Sequence, residues 1–320
     1  MNKKDTFYLT GRSDGFSGSD SLEPMNARFD PESVRVARDG KSVFVSDEYG
    51  PYIYQFDRET GQRIRVFTLP AKFGVTYLSP QGDDEINHNT VGRVANKGME
   101  GLAITPDGST LVGIMQSALA QDGGDKKGQV LRLVTIDIES GNVTHEYAYP
   151  TFAGFKTTVS DIVAVSDHVF LVDERDGAGL GDNSAAVFKK LYLIDLDGAQ
   201  DVSLDTGKTA LAAKAVKKYL FLDMVSALNT GLGRDPTQIP AKLEGVAFGE
   251  DVVIDGDTLH TVYVANDNDF DPSSNNPNQF FVFGFSNADL ASATRSDDAT
   301  HTFAGDGHDA TFVPQIFEKK

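Results

Sequence analysis

The chain has 320 residues, no cysteine, six histidines, a formal charge of -18 and a pI near 4.6. Disulfides and thiol catalysis are excluded, and a soft metal has few ligands to choose from. Such acidity also argues against nucleic acid and anionic membrane surfaces as partners, and no apolar run approaches the roughly 18 residues that membrane insertion requires.

The opening stretch MNKKDTFYLTGRSDG lacks the apolar segment of a signal peptide, which taken literally reads as cytoplasmic. Lys4 to Thr10 reads as an isolated strand and Asp14 to Asn26 as a loop, so residues 1–28 look like the remnant of an earlier unit. From Phe29 the chain begins to repeat itself. In the first copy Glu32 opens an apolar strand, Asp39 and Gly40 turn it, and a second strand closes on Asp47 and Glu48. Alternating Val34, Val36, Val43 and Val45 around an Asp-Gly turn predict an antiparallel hairpin. Two more strands, YIYQFD and RIRVFTLP, complete a four-stranded sheet.

A long polar connection from Ala71 to Asn96 leads to the second copy, which opens at Glu100, turns at Asp107 and Gly108, and ends on Met115 and Gln116. The third opens at Asp161 and ends on Asp173 and Glu174. Its continuation from Val202 to Leu228 is helical in character at first, with YLFLDM as a strand. A fourth copy opens at Glu244 and ends on Asn266 and Asp267, followed by QFFVFGFS and HTFAG. Repetition on this scale predicts an all-β fold, a β-propeller of four-stranded antiparallel blades. The blades fall at residues 29–70, 97–151, 158–226 and 241–305, within one domain spanning 1–320 and a tail at 306–320. Four blades are legible in the chain, and five or six are expected in the complete protein.

In an antiparallel pair the start of the first strand lies beside the end of the second. Glu32 therefore pairs with Glu48, Glu100 with Gln116, Asp161 with Glu174 and Glu244 with Asp267. Around a propeller axis these would form an acidic collar at one mouth. Two carboxylates roughly 6 Å apart repel by about 3 kcal/mol at an effective dielectric of about 20, so the collar calls for a cation. Oxygen donors in irregular geometry favour Ca²⁺, with Glu32, Glu100, Asp161, Glu244 and Asp267 as ligands. Arg28, Lys97 and Lys242 stand just ahead of opening acids and Arg175 follows Glu174, placed to grip the oxygens of an anionic substrate.

Other signals carry less. The run Asp267 to Asp271 begins like an EF-hand loop, but Pro272 stands where glycine is required and Asn278 where glutamate is. The glycines between Asp176 and Ser184 have no P-loop lysine after them, no G-x-S-x-G is present, and the histidines show no ligand spacing.

The wording of the copies, FDPES with VSDEYGPYIYQFD, NKGMEGLAITPDG, VSDIVAV with FLVDERDG, and AKLEGVAF with VANDNDF, resembles the phytase-like or esterase-like propeller family over roughly Phe29 to Phe285. The resemblance implies an exported propeller, secreted or periplasmic, with a metal-dependent hydrolytic site for phosphoester or other ester bonds. It places that site at Glu32, Asp47, Glu48, Glu100, Asp161, Glu174, Glu244 and Asp267. The expected activity is Ca²⁺-dependent hydrolysis of a small-molecule phosphorylated or ester substrate, with Glu48 and Glu174 as general bases. A sugar-lactone hydrolase and a non-catalytic, Ca²⁺-stabilised propeller that binds a polymer or protein partner are the alternatives.

Overall fold

The Asp-Gly turns set the hairpins. Gly40 and Gly108 adopt φ of 71° and 75°, which a side chain disfavours, while Asp39 and Asp107 accept the amides of Lys41 and Ser109. The structure, a computed structural model, describes residues 9–11, 20–271 and 276–293. The remnant strand before Leu9, HTFAG and the tail at 306–320 lie outside the described residues.

Blade 1 contains β1 (Pro31–Val36), β2 (Ser42–Asp47), β3 (Ile53–Asp57) and β4 (Arg63–Phe67), hydrogen-bonded in sequence order. Val34 faces Val45 and Val36 faces Val43, the register that the alternation predicts. Blade 2 repeats this order with β5 (Met99–Ile104), β6 (Thr110–Met115), β7 (Val130–Asp137) and β8 (Val143–Pro150). Blade 3 contains β9 (Thr158–Ala164), β10 (Val169–Arg175), β11 (Lys189–Asp195) and β12 (Lys218–Asp223). In blade 4, β13 (Leu243–Phe248) and then β14 (Val252–Ile254) pair with one long strand, β15 (Asp257–Asn266), which also pairs with β16 (Phe280–Phe285). The inner hairpin of this sheet is thus extended by β14.

The chain divides into two compact units, one built on blades 1 and 2 and the other on blades 3 and 4. The first is filled by Phe44, Ile53, Phe67, Leu102, Leu111 and Ile136, the second by Val163, Leu171, Leu193, Val246, Val264 and Phe281. Residues 200–215, which interrupt blade 3 between β11 and β12, belong to the first unit. Arg132 on β7 explains their attachment. Its side chain is wholly buried, forks onto Asp122 at 2.7 and 3.2 Å, meets Glu146 at 2.8 Å, and donates to the carbonyls of Val202 and Asp205. Asp122 in turn accepts the amide of Gly207 at 2.7 Å. The helical start expected after Val202 is α2 (Lys208–Ala212) and the YLFLDM strand is β12, followed by α3 (Met224–Leu232).

The polar connection after blade 1 folds around one buried acid. A short helix, α1 (Gly82–His88), presents Glu85, 1% exposed, to Arg28 at 3.3 Å, to the amide of Ser79 at 3.0 Å, and to Arg93. A buried carboxylate needs such partners, and their number explains why so polar a stretch is ordered.

Candidate metal centre

The same backbone irregularity recurs where each hairpin begins. Pairing slips between Pro31 and Val34, between Met99 and Gly101, and between Leu243 and Gly245, so that Glu32, Glu100 and Glu244 each occupy a β-bulge. A bulge leaves its extra residue unpaired and re-aims the side chain, and three opening acids receive that treatment. Blade 3 bulges at the equivalent place, but the extra residue there is Ser160, because Val159 faces Glu174 and Asp161 faces Asp173.

The third copy is therefore out of step by one residue with its reading from sequence. A one-residue slip exchanges the faces of a strand. Ser160 and Arg175 take the places held by Glu32 and Glu48 in blade 1, whereas Asp161 aligns with Ser33 and Glu174 with Asp47. The consequence is visible in the contacts. Asp161 accepts the amides of Ile162 at 2.8 Å and of Val246 at 2.9 Å, joining β9 to β13. Glu174 is fully buried, takes the Thr157 hydroxyl at 2.7 Å and is ion-paired to Lys218. Both act as fasteners in the framework, and a general-base role for Glu174 does not fit a carboxylate so engaged.

In the first unit the acids converge. One oxygen from each of Asp30, Glu32 and Glu48 lies within 4.8 Å of the others. Glu32 is exposed, Asp30 half-buried and Glu48 only 3% exposed. Glu48 accepts no hydrogen bond from any described residue; burial, reinforced by Asp30 and opposed by Lys97 and Arg93, lifts its carboxyl to about 7. The preceding Asp47 is spent on the chain itself, accepting the amides of Asp30, Tyr49 and Gly50 at 3.0, 3.1 and 2.6 Å. Burial raises it to about 7 against the pull of those amides. Its work is to hold the loop from which Glu48 projects. Arg93, wholly buried, donates Nε to the Tyr49 carbonyl at 2.5 Å and braces the same loop from behind. Gly98 closes over it so tightly that a Cβ there would stand 1.7 Å from the Glu48 carbonyl oxygen.

Three clustered carboxylates with one of them buried and unbonded are a hard-oxygen donor set of the kind Ca²⁺ takes, so the residues present fit such an ion. Asp30 is the member that the sequence reading missed. Its signal was its spacing: two residues before Glu32 on an extended chain, it projects to the same side. Glu100 is buried on β5 beside this region, its carbonyl taking the Ser46 hydroxyl at 3.2 Å.

The four expected substrate-gripping cations fare unequally. Arg28 is 3% exposed, paired to Glu85 and stacked 3.5 Å over the Tyr49 ring, so it belongs to the framework. Arg175 is buried against Glu244 and the Ser160 hydroxyl. Lys97, half-buried, donates to Gln116 at 2.9 Å beside Glu48. Lys242 spans Asp267 at 3.4 Å and Asp269 at 2.5 Å, and although desolvation lowers it, the Asp269 bond and the surrounding acids Glu244 and Asp267 hold it above its ordinary value. Asp267 is exposed, its carboxylate taking the Asp269 amide at 2.8 Å.

The second unit holds one acid that nothing satisfies. Asp173 is 0% exposed and neither oxygen has a hydrogen-bond partner among the described residues. Burial pushes its carboxyl well above the usual range, opposed by Arg175 and Lys189.

A family model described as "Phytase-like: Esterase-like activity of phytase" matches residues 9–270. An "Uncharacterized secreted protein" of Arthroderma benhamiae is 36% identical over 192 residues, taking in 51% of this chain and 37% of the relative, so the match spans little more than a third of that protein's length. Among solved structures, the Pseudomonas aeruginosa periplasmic gluconolactonase aligns over 85% of this chain and 61% of its own, at 10% identity and a TM-score of 0.37. The β-propeller domain of Cps50 (Swd1) from Myceliophteria thermophila aligns over 74% and 51%, at 12% identity and a TM-score of 0.31. With the family model covering most of its length, this chain belongs to the phytase-like family, esterase-like activity of phytase.

Proposed function

We propose that the protein is a Ca²⁺-dependent hydrolase of phosphoester or other ester bonds, working at Asp30, Glu32 and Glu48. The observation that carries this reading is the convergence of three carboxylates within 4.8 Å, one buried without a hydrogen bond. Membership of a family described by an esterase-like activity supports the reaction class. Asp30, Glu32 and one oxygen of Glu48 would hold the ion, which when bound would polarise the phosphoryl or carbonyl oxygen of the substrate. Glu48 is the residue to take the proton of the attacking water, since no hydrogen bond occupies its carboxylate. Lys97, adjoining Glu48, is placed to orient an anionic substrate. Export from the cytoplasm is the matching location, supported by the relative named as secreted.

The test is a panel of phosphate monoesters, diesters, carboxylic esters and lactones, assayed with Ca²⁺ and with chelator. Wild type is expected to turn over at least one class only with Ca²⁺, and Glu32→Gln and Glu48→Gln to lose both activity and Ca²⁺ affinity. Ca²⁺ that raises the melting temperature with no turnover on any class would make the ion structural and defeat the enzymatic reading.

A further inference from the structure

We propose that blade 3 carries a second hard-cation site, centred on the two open oxygens of Asp173 and completed by Asp161 and Glu244. The proposal starts from register. Asp161 and Asp173 face one another directly across the β9–β10 hairpin, where the equivalent pairs are Ser33 and Ser46 in blade 1, Gly101 and Ile114 in blade 2, and Gly245 and Ala265 in blade 4. Blade 3 alone places two carboxylates there, an arrangement that repels across a strand pair unless a positive charge intervenes.

Two cations stand close by, yet they are committed elsewhere. Lys189 is buried, and its ammonium directs three hydrogen bonds to Asp176 Oδ1 at 2.5 Å, to the Asp176 carbonyl at 2.8 Å and to the Ala241 carbonyl at 2.7 Å. With three protons to give, it has none left for Asp173. Arg175 directs Nε to Ser160 at 2.8 Å, Nη1 to the Asp176 carbonyl at 3.2 Å and Nη2 to Glu244. Asp173 is left without a bond although it is wholly enclosed.

Charge leads to the same occupant. With Asp173 ionised, as a bound cation would hold it, Asp161, Asp173, Asp176 and Glu244 bring four carboxylates against the two cations, an excess of two negative charges that a divalent ion would cancel. Donor atoms remain for it. Asp173 offers both oxygens, Glu244 uses one oxygen on Arg175 and keeps the other, and Asp161 stands directly opposite Asp173 across the hairpin. The Glu244 side chain is 22% exposed, giving an ion a way in from solvent. Unlike Asp30, Glu32 and Glu48, these acids do not gather within 4.8 Å of one another among the described residues. Binding would draw Glu244 toward Asp173 and loosen its hold on Arg175.

Ca²⁺ itself is the probe, followed by calorimetric titration and by metal analysis after equilibrium dialysis at pH 8. Wild type should bind two ions, Asp173→Asn one, the double variant Glu32→Gln/Glu48→Gln one, and the triple variant none. Because asparagine is isosteric with aspartate, the apo form of Asp173→Asn should melt no lower than wild-type apoprotein while losing part of the Ca²⁺-dependent rise. Two ions retained by Asp173→Asn, one retained by the triple variant, or none bound by the double variant would each overturn the proposal. The double variant decides alone if Asp173→Asn does not fold. One ion in wild type, lost with Asp173 and kept without Glu32 and Glu48, would uphold this site while removing the proposed catalytic one.

Discussion

Replacing Glu48 by glutamine should move stability in opposite directions with and without Ca²⁺. At separations within 4.8 Å and an effective dielectric of about 20, two carboxylates repel by at least about 3.5 kcal/mol. The exposure of Glu32 screens its share heavily, and Lys97 offsets part of the rest. A net relief of about 1–2 kcal/mol is therefore expected in the chelated protein at pH 8, which raises its melting temperature by a few degrees. With Ca²⁺ present the same change removes a ligand, and affinity should fall at least tenfold, equivalent to about 1.4 kcal/mol. Differential scanning calorimetry in EDTA and in millimolar Ca²⁺ reads both effects from one variant. An equal loss of stability in the two buffers would refute the reasoning, since it would mean that Glu48 supports the fold directly.

In the chelated protein the raised Glu48 carboxyl also sets a pH dependence. Its stabilising contribution is full below the ordinary 4.5 and is lost as pH rises through about 7, a change of about 3 kcal/mol at ~1.4 kcal/mol per unit; melting temperatures in EDTA that rise from pH 5 to 8 would contradict it. Gly98→Ala should push the Glu48 backbone aside, because no rearrangement of a flexible side chain can absorb a contact with a carbonyl, and Ca²⁺ affinity should drop at least tenfold. Asp122→Asn breaks the buried fork on Arg132 and should cost about 3–5 kcal/mol in urea unfolding, with residues 200–207 becoming accessible to proteolysis first. Glu174→Gln should lower stability by leaving the half-buried Lys218 without its counter-charge, yet leave Ca²⁺ affinity within twofold of wild type.

Much of the architecture was legible because it is local. Valines at alternate positions around Asp39–Gly40 specify a hairpin through period and turn chemistry, and four rewritings of one pattern specify four sheets. The bulges that carry Glu32, Glu100 and Glu244 leave no comparable mark, since an extra residue in a strand looks like any other residue until its partner strand is known. That is why Asp161 reads in the sequence as the equivalent of Glu32 although Ser160 holds the place.

The identity of the acids, their recurrence beside hairpin ends and the charge they concentrate were determined by the sequence alone, because they depend only on residue type and spacing. Which acids meet and which are consumed was decided by tertiary packing. Arg28 looks like a substrate clamp until Glu85, 57 residues away in the chain, takes its guanidinium, and Glu174 looks like a base until Lys218 closes on it. Asp30 joins the centre and Asp173 stands unpartnered for the same reason: a carboxylate's chemistry is set by the donors that surround it, and those arrive from strands and loops that no local pattern connects.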